Sequence, residues 1–324
     1  MKKLPIHRRG IEISPLSLGC MGFGGGWNTG SVTDEHVMEA QQALETSIEH
    51  GITFLDHADI YTFGKAEETF GRLLTEKPQW REQLWIQSKC GIRFEESATV
   101  PGRYDFDRNY IVKSVEGILS RLKVDYLDSL LLHRPDPLMD PEEVAEAISQ
   151  LKSAGKVKYF GVSNMSRGQI ELLQAYSEEP LIFNQLEMSL AKLDFLETGV
   201  LVNHPDGKYL QFPEGTMEYC RLQNIQLQAW GSLAQGLFSG RSVDDQPEAI
   251  RATAKRVSEL ALEKDCSREA IVLAWLMKHP AGIQPIIGTT NPERIAACSQ
   301  AVDVTLSREE WYSLYVSARG KNMP

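Results

Sequence analysis

LDSLLLHRPDPLMDPEEVAEAISQLKSAGKVKYFGVSN, residues 127–164, sets two short apolar runs on either side of one amphipathic stretch. The runs at 127–132 and 159–163 are the length of buried strands, too short for helices. Between them, PEEVAEAISQLKSAG opens on a proline and two glutamates, which suit the donor-poor, electropositive start of a helix, and it stops at Gly155. Strand, helix, strand is the repeating unit of a parallel sheet covered on both faces. Working outward, the same alternation predicts strands at 16–19, 52–56, 84–88, 127–132, 159–163, 181–185, 225–230 and 284–287. A second helix, TDEHVMEAQQALETSIEHG, has Thr33 as N-cap, His36 at its third position and Gly51 as its stop. Eight such units in 324 residues match a (β/α)₈ TIM barrel. An open doubly wound sheet more often uses about five to seven strands and a Gly-rich first turn. No G-x-G-x-x-G follows any strand, and GFGGGW at 22–27 reads as a flexible rim loop before it reads as a phosphate cradle.

Material beyond the eight units is also visible. LPIHRRGIEISPLS, residues 4–17, is expected to form a two-stranded hairpin closing the barrel floor, with its turn at Arg9 and Gly10. Long connections at 91–107, 191–215 and 234–248 all follow strands, where long loops are usually functional. No repeat or linker divides the chain, so residues 1–324 read as a single domain. A formal charge of −10 argues against nucleic acid as the main partner. Five scattered cysteines without a C-x-x-C argue against a disulfide framework or a zinc site, and for a reducing, cytoplasmic setting. No apolar run follows the basic MKKLPIHRRG, and none approaches a membrane span.

Barrels place their working residues at the C-terminal ends of strands. There the segments read FLDHADIY, WIQSKC, LLLHRPD, FGVSN, IFNQ, QAWGSL and PIIGTT. Asp56, Lys89 and His133 each follow an apolar run that would draw a charge towards the core. Singly, they read as a helix cap, an exposed cation and a core histidine. Together with Tyr61 they suggest chemistry, because a phenol with a reference pKa of about 10 donates a proton near neutrality only with help from a cation. A carboxylate would hold that cation, and a neutral imidazole would orient a carbonyl oxygen. A lysine at a strand end is also a candidate Schiff-base nucleophile, so an aldolase stays open at this point.

GITFLDHADIYTFGKAEETFG resembles the aldo-keto reductase motif built around G-x-x-x-x-D-T-A-x-x-Y. SKCGI, LLLHRPDP, GKVKYFGVSN, FNQLEMS, AWGSLAQGLFSG and PIIGTTNPERI follow in that family's order across nearly the whole chain. The insertion ending DGKYLQFPEGTMEYC and the C-terminal helix SREEWYSLYVSARGKNMP resemble a bacterial subgroup of these oxidoreductases, which implies extra C-terminal helices. The resemblance implies reduction of aldehydes or ketones to alcohols by hydride from a nicotinamide. It assigns Tyr61 as proton donor, Lys89 paired with Asp56 to lower the tyrosine pKa, and His133 to position the carbonyl. Ser163, Asn164 and Gln185 match the residues that hold the nicotinamide carboxamide, and Trp230 the aromatic that stacks on the ring.

By the same resemblance the pyrophosphate lies along Gly231, Ser232, Leu233 and Gly236, and the adenosine phosphate meets Gly288, Thr289, Thr290 and Arg294. The chain departs from the pattern at Gly288 and Cys298, where many members carry lysine and asparagine, and at Gly231-Ser232, where they carry Ser-Pro. Arg294 remains for a 2′-phosphate, which favours NADPH over NADH. No metal is implied. Trp27, Phe63, Phe94, Tyr104 and Phe195 suggest a rim for small apolar carbonyl substrates. A redox-sensing subunit that keeps the cofactor site but turns over little is the alternative; oligomeric state is not legible.

Overall fold

The computed structural model describes residues 4–324. Its strands are β1 (Ser17–Gly19), β2 (Phe54–Asp56), β3 (Trp85–Cys90), β4 (Ile92–Arg93), β5 (Arg103–Tyr104), β6 (Leu127–Leu132), β7 (Val157–Ser163), β8 (Leu181–Glu187), β9 (Gln226–Trp230) and β10 (Gln284–Ile287). Eight of them hydrogen-bond in the order β1-β10-β9-β8-β7-β6-β3-β2 as a closed barrel, the expected (β/α)₈ fold. The remaining pair, β4 and β5, is a small antiparallel ribbon within the long connection at 91–107.

The helices begin where their side chains can satisfy the first amides. Thr33 accepts from the His36 amide while His36 returns a bond to the Thr33 amide, starting Asp34–Glu49; Gly51 follows its end at φ 70°. Asp140 caps the Glu142 amide ahead of Pro141–Ser153. Two helices, Glu248–Glu263 and Arg268–Lys278, separate β9 from β10, and Arg308–Arg319 follows the barrel.

Contact density divides the chain into two compact units. The N-proximal unit is Ser17–Gln185 with Gly288–Thr290; the C-proximal unit is the stretch ending at Leu16, Leu186–Ile287 and Asn291–Pro324. In the N-proximal unit the strand interior starts with an aromatic layer. Trp85 lies flat between Phe54 (5.6 Å, 14°) and Tyr159 (5.5 Å, 13°), with Phe183 edge-on. Offset and edge contacts of this kind add to the burial of the rings themselves.

In the C-proximal unit the C-terminal helix is locked by two devices. Trp275 and Trp311 stack at 5.3 Å, and each indole N–H donates to the other's carbonyl. Glu197, in the insertion after β8, accepts from Tyr315 and from Arg319, whose Nε lies 2.6 Å away.

Two expectations need correction. No strand precedes Ser17 among the described residues: Pro5–Arg9 form a 3₁₀ turn that ends at Gly10 with φ 72°. Proline lacks the N–H a hairpin ladder needs there, and the segment is tied down by side chains instead. Arg9 donates to the carbonyls of Gln223 (2.6 Å) and Asn224 (3.1 Å), and Gln284 donates to the Ser14 carbonyl (2.7 Å). The segment therefore still packs under β9 and β10, without becoming a strand. Phe195 does not stand on a rim: it is buried, edge-on to Trp275 at 6.1 Å.

Candidate active site

Lys89 organises the site. Its side chain is wholly buried near the end of β3, and its ammonium has three donors and no acceptor. Three oxygens lie 2.9 Å from Nζ: Asp56 Oδ2, the His57 carbonyl and Tyr61 Oη. Asp56 closes β2 beside β3, and Tyr61 stands in the turn that follows, so the barrel pairing brings the phenol over the lysine. His133 continues from β6, its amide bonded to the Cys90 carbonyl, and its ring meets the Tyr61 ring edge-on at 6.1 Å. All four expected residues thus converge within the N-proximal unit.

Electrostatics give each group a definite form. Burial works against the Lys89 ammonium, but Asp56 and Tyr61 outweigh it and hold the pKa above the ordinary lysine value. An ammonium with all three protons engaged is a poor Schiff-base nucleophile, which speaks against the aldolase reading. Burial dominates at Tyr61 and raises its pKa, although Lys89 pulls the other way. Lys89 thus acts in the expected direction, but burial outweighs it and the net shift is upward. Burial, with Lys89 and Arg134 nearby, lowers His133 to about 2, so its imidazole is neutral. Its Nδ1 is buried with no partner among the described residues.

His57 and Asp59 were not singled out in the sequence, because nothing but tertiary burial sets them apart. Burial and Lys89 bring His57 to about 3; burial and Arg221 bring His279 to about 4. Asp59 is partly exposed, but its Oδ1 is enclosed, and burial with Glu67 nearby raises it to about 7. The signs oppose. A histidine with a depressed folded pKa makes the unfolded chain the better proton acceptor below pH 6.5, whereas Asp59 holds its extra proton in the folded state between about 4 and 7. The three lowered histidines outweigh the raised carboxyls of Asp59 and Glu67, so unfolding takes up protons between about pH 6 and 5 and stability should fall with pH there. Urea unfolding at several pH values measures this, and a flat profile contradicts the burial of these imidazoles.

Ser163, Asn164 and Gln185 hold one another beside the tetrad. Asn164, at φ 57°, takes the Gln185 carbonyl with its amide N–H and donates from Nδ2 to Ser163 Oγ (2.8 Å) and the His133 carbonyl (3.4 Å). Ser163 Oγ donates to the Gln185 carbonyl (3.0 Å), and Gln185 Nε2 to Asp56 Oδ1 (3.0 Å).

In the C-proximal unit, half-buried Trp230 ends β9 and the chain then turns at left-handed residues: Gly231 (66°), Ala234 (47°), Gln235 (55°) and Gly236 (79°). Successive residues of this kind turn backbone amides into an anion-binding concavity, and this one takes in Leu233. Ser232 serves it only through its backbone, since its buried hydroxyl donates to the Ile286 carbonyl at 2.7 Å. At Gly288 a Cβ would meet nothing within 4 Å, so the backbone there is open. Thr289 and Thr290 are half-buried and Arg294 is exposed, whereas Cys298 is fully buried. Taken unit by unit, the left-handed turn of the C-proximal unit has the backbone chemistry to receive a pyrophosphate and its exposed Arg294 that to receive a further phosphate, while Gly288 of the N-proximal unit leaves its own backbone open.

Trp27, Phe63 and Phe94 are exposed and touch in a triangle of 5.0, 5.5 and 6.5 Å; Tyr104 is exposed on β5. A cleft of about 830 Å³ between Leu4, His7, Arg8, Arg221 and Pro280 contains none of these residues. Convergence of ionisable groups, not cavity size, marks the site. No helix among the described residues is long and apolar enough to cross a membrane.

Comparison with known proteins bears on the family and the fold. The family model described as "Aldo/keto reductase family" matches residues 15–315. An uncharacterized oxidoreductase of Bacillus subtilis, YcsN, is 37% identical over 289 residues, covering 88% of this chain and 90% of that protein. A 6-dehydroglucose reductase of Agrobacterium fabrum is 35% identical over 303 residues, covering 92% and 94%. Among solved structures, the thermostable aldo-keto reductase Tm1743 superposes with a TM-score of 0.76 at 27% identity, covering 98% of both chains. A closed parallel barrel, four ionisable groups at its strand ends and a family match over nearly all of its length lead to one assignment: the chain belongs to the aldo/keto reductase family of oxidoreductases.

Proposed function

We propose that this protein reduces aldehydes or ketones to alcohols with a reduced nicotinamide, NADPH in preference to NADH, and that Tyr61 delivers the proton. The observation that carries the reading is the engagement of Lys89. Its N–H groups reach Asp56, the His57 carbonyl and Tyr61. Because an ammonium can only donate, Tyr61 Oη accepts, and its own hydroxyl proton is left to point away from Lys89 towards a carbonyl oxygen. As that proton departs, the fully buried ammonium 2.9 Å away stabilises the developing phenolate. Neutral His133, beside the Tyr61 ring, orients the same oxygen without competing as an acid.

A bound reduced nicotinamide supplies the hydride. Ser163, Asn164 and Gln185 would hold its carboxamide and Trp230 its ring face; Gly231, Ser232, Leu233 and Gly236 would take the pyrophosphate. Gly288, Thr289, Thr290 and Arg294 would take the adenosine phosphate. The aromatic triangle of Trp27, Phe63 and Phe94 favours substrates with an apolar face. The chain is read as one domain acting in the cytoplasm, in keeping with five free cysteines, four of them buried.

The test is loss of NADPH absorbance with a panel of aldehydes, ketones and quinones, to which the Agrobacterium relative's name adds 6-dehydroglucose. Turnover with at least one is expected; none across the panel rejects the reading. Arg294→Ala should weaken NADPH about tenfold and NADH by less than about twofold, since a charge-assisted contact is worth about 1.5–3 kcal/mol. Equal losses for both, measured by fluorescence titration, would take Arg294 away from the 2′-phosphate.

A further inference from the structure

Side chains two apart on a strand share a face, so Trp85, Gln87 and Lys89 line one side of β3 in rising order. Register sets Gln87 opposite Asp56 on β2 and Ser129 on β6. The side chains join end to end: Trp85 Nε1 donates to Ser129 Oγ (2.9 Å), Ser129 Oγ to Gln87 Oε1 (3.2 Å), and Gln87 Nε2 to Asp56 Oδ1 (2.7 Å). Gln87 and Ser129 are wholly buried, where an unpaired amide or hydroxyl would be costly.

The direction of this chain is not free. An indole N–H can only donate to Ser129 and a carboxylate can only accept, so Gln87 turns Nε2 to Asp56 and leaves Oε1 to take the Ser129 proton. The two ends together set the direction of every bond between them. Asp56 Oδ1 then receives two amides, from Gln87 and from Gln185 at 3.0 Å, leaving Oδ2 to Lys89. A buried ion pair holds only when its remaining lone pairs are satisfied.

We propose that Trp85, Ser129 and Gln87 form a one-way hydrogen-bond chain that orients the Asp56 carboxylate against Lys89, making Gln87 a positioning residue for proton delivery. The proposal rests on the reading of Tyr61 as the donor. Without Gln87 the carboxylate is less firmly held, Lys89 gives up its proton at lower pH, and Tyr61 loses its cation sooner as pH rises.

Gln87→Met is expected to lower kcat about tenfold with cofactor affinity within about twofold, and to move the alkaline loss of activity down by about one pH unit. Ser129→Ala should cost about threefold, and the double variant no more than Gln87→Met alone, because Ser129 acts only through Gln87. Unchanged kcat in Gln87→Met, or effects that multiply, would overturn the proposal. Trp85→Phe keeps the ring stack and deletes only the first donor. A loss of about twofold that vanishes in the Gln87→Met background supports the chain even if another variant folds poorly. A readout without turnover separates the two readings: the Lys89 ammonium ¹⁵N signal, identified by its absence in Asp56→Asn/Lys89→Met, should move in Gln87→Met at pH 7. A moved signal in a protein that reduces nothing sustains the chain and rejects the reductase; an unmoved signal rejects the chain.

Discussion

Tyr61→Phe is expected to slow carbonyl reduction by about a hundred- to ten-thousandfold, the usual contribution of a positioned general acid, while cofactor affinity changes by less than about twofold. The ring that packs edge-on to His133 is kept, and only the hydroxyl that receives Lys89 is removed. The ammonium then has two acceptors for three protons, at a stability cost of about 1–3 kcal/mol. Single-turnover rates at saturating NADPH, together with fluorescence titration of the cofactor, separate chemistry from binding. Retained turnover would show that another group delivers the proton. Loss of cofactor binding would show that the phenol supports the fold of the mouth instead.

Lys89→Met should destabilise the protein by about 3–5 kcal/mol and abolish measurable reduction, because it strands a carboxylate inside the barrel. Asp56 has no exposed side to turn to, and its remaining partners are the amides of Gln87 and Gln185. Replacing both members, Asp56→Asn with Lys89→Met, should recover most of the stability and none of the activity, since a buried pair contributes little net stability against neutral groups of similar shape. Urea midpoints for the single and double variants, with the slope checked for constancy, measure this. If the single variant is as stable as the parent, Asp56 is taking up a proton, and the ion pair is not what holds it.

The strands and their order were readable because each is a short apolar run bounded by helix punctuation, and that local pattern survives in any environment. The predicted run at 84–88 becomes Trp85–Cys90, and the cap at Thr33 forms as expected. The N-terminal segment resisted such reading. Its turn at Gly10 was legible, but whether its flanks pair as strands depends on whether distant carbonyls at 223 and 224 will accept Arg9. Phe195 failed similarly, because an aromatic in a long connection looks the same whether it faces solvent or Trp275.

The identities of Asp56, Tyr61, Lys89 and His133, and their places at strand ends, are properties of the sequence alone, since strand period and chain order dictate which residues reach the barrel mouth. Their protonation states are not. Whether the phenol rises or falls in pKa, whether the lysine is charged, and whether Gln87 faces Asp56 with its nitrogen are decided by burial and by partners up to 129 residues away. Desolvation and hydrogen-bond direction are sums over every neighbour in space, and the chain acquires those neighbours only when the barrel closes.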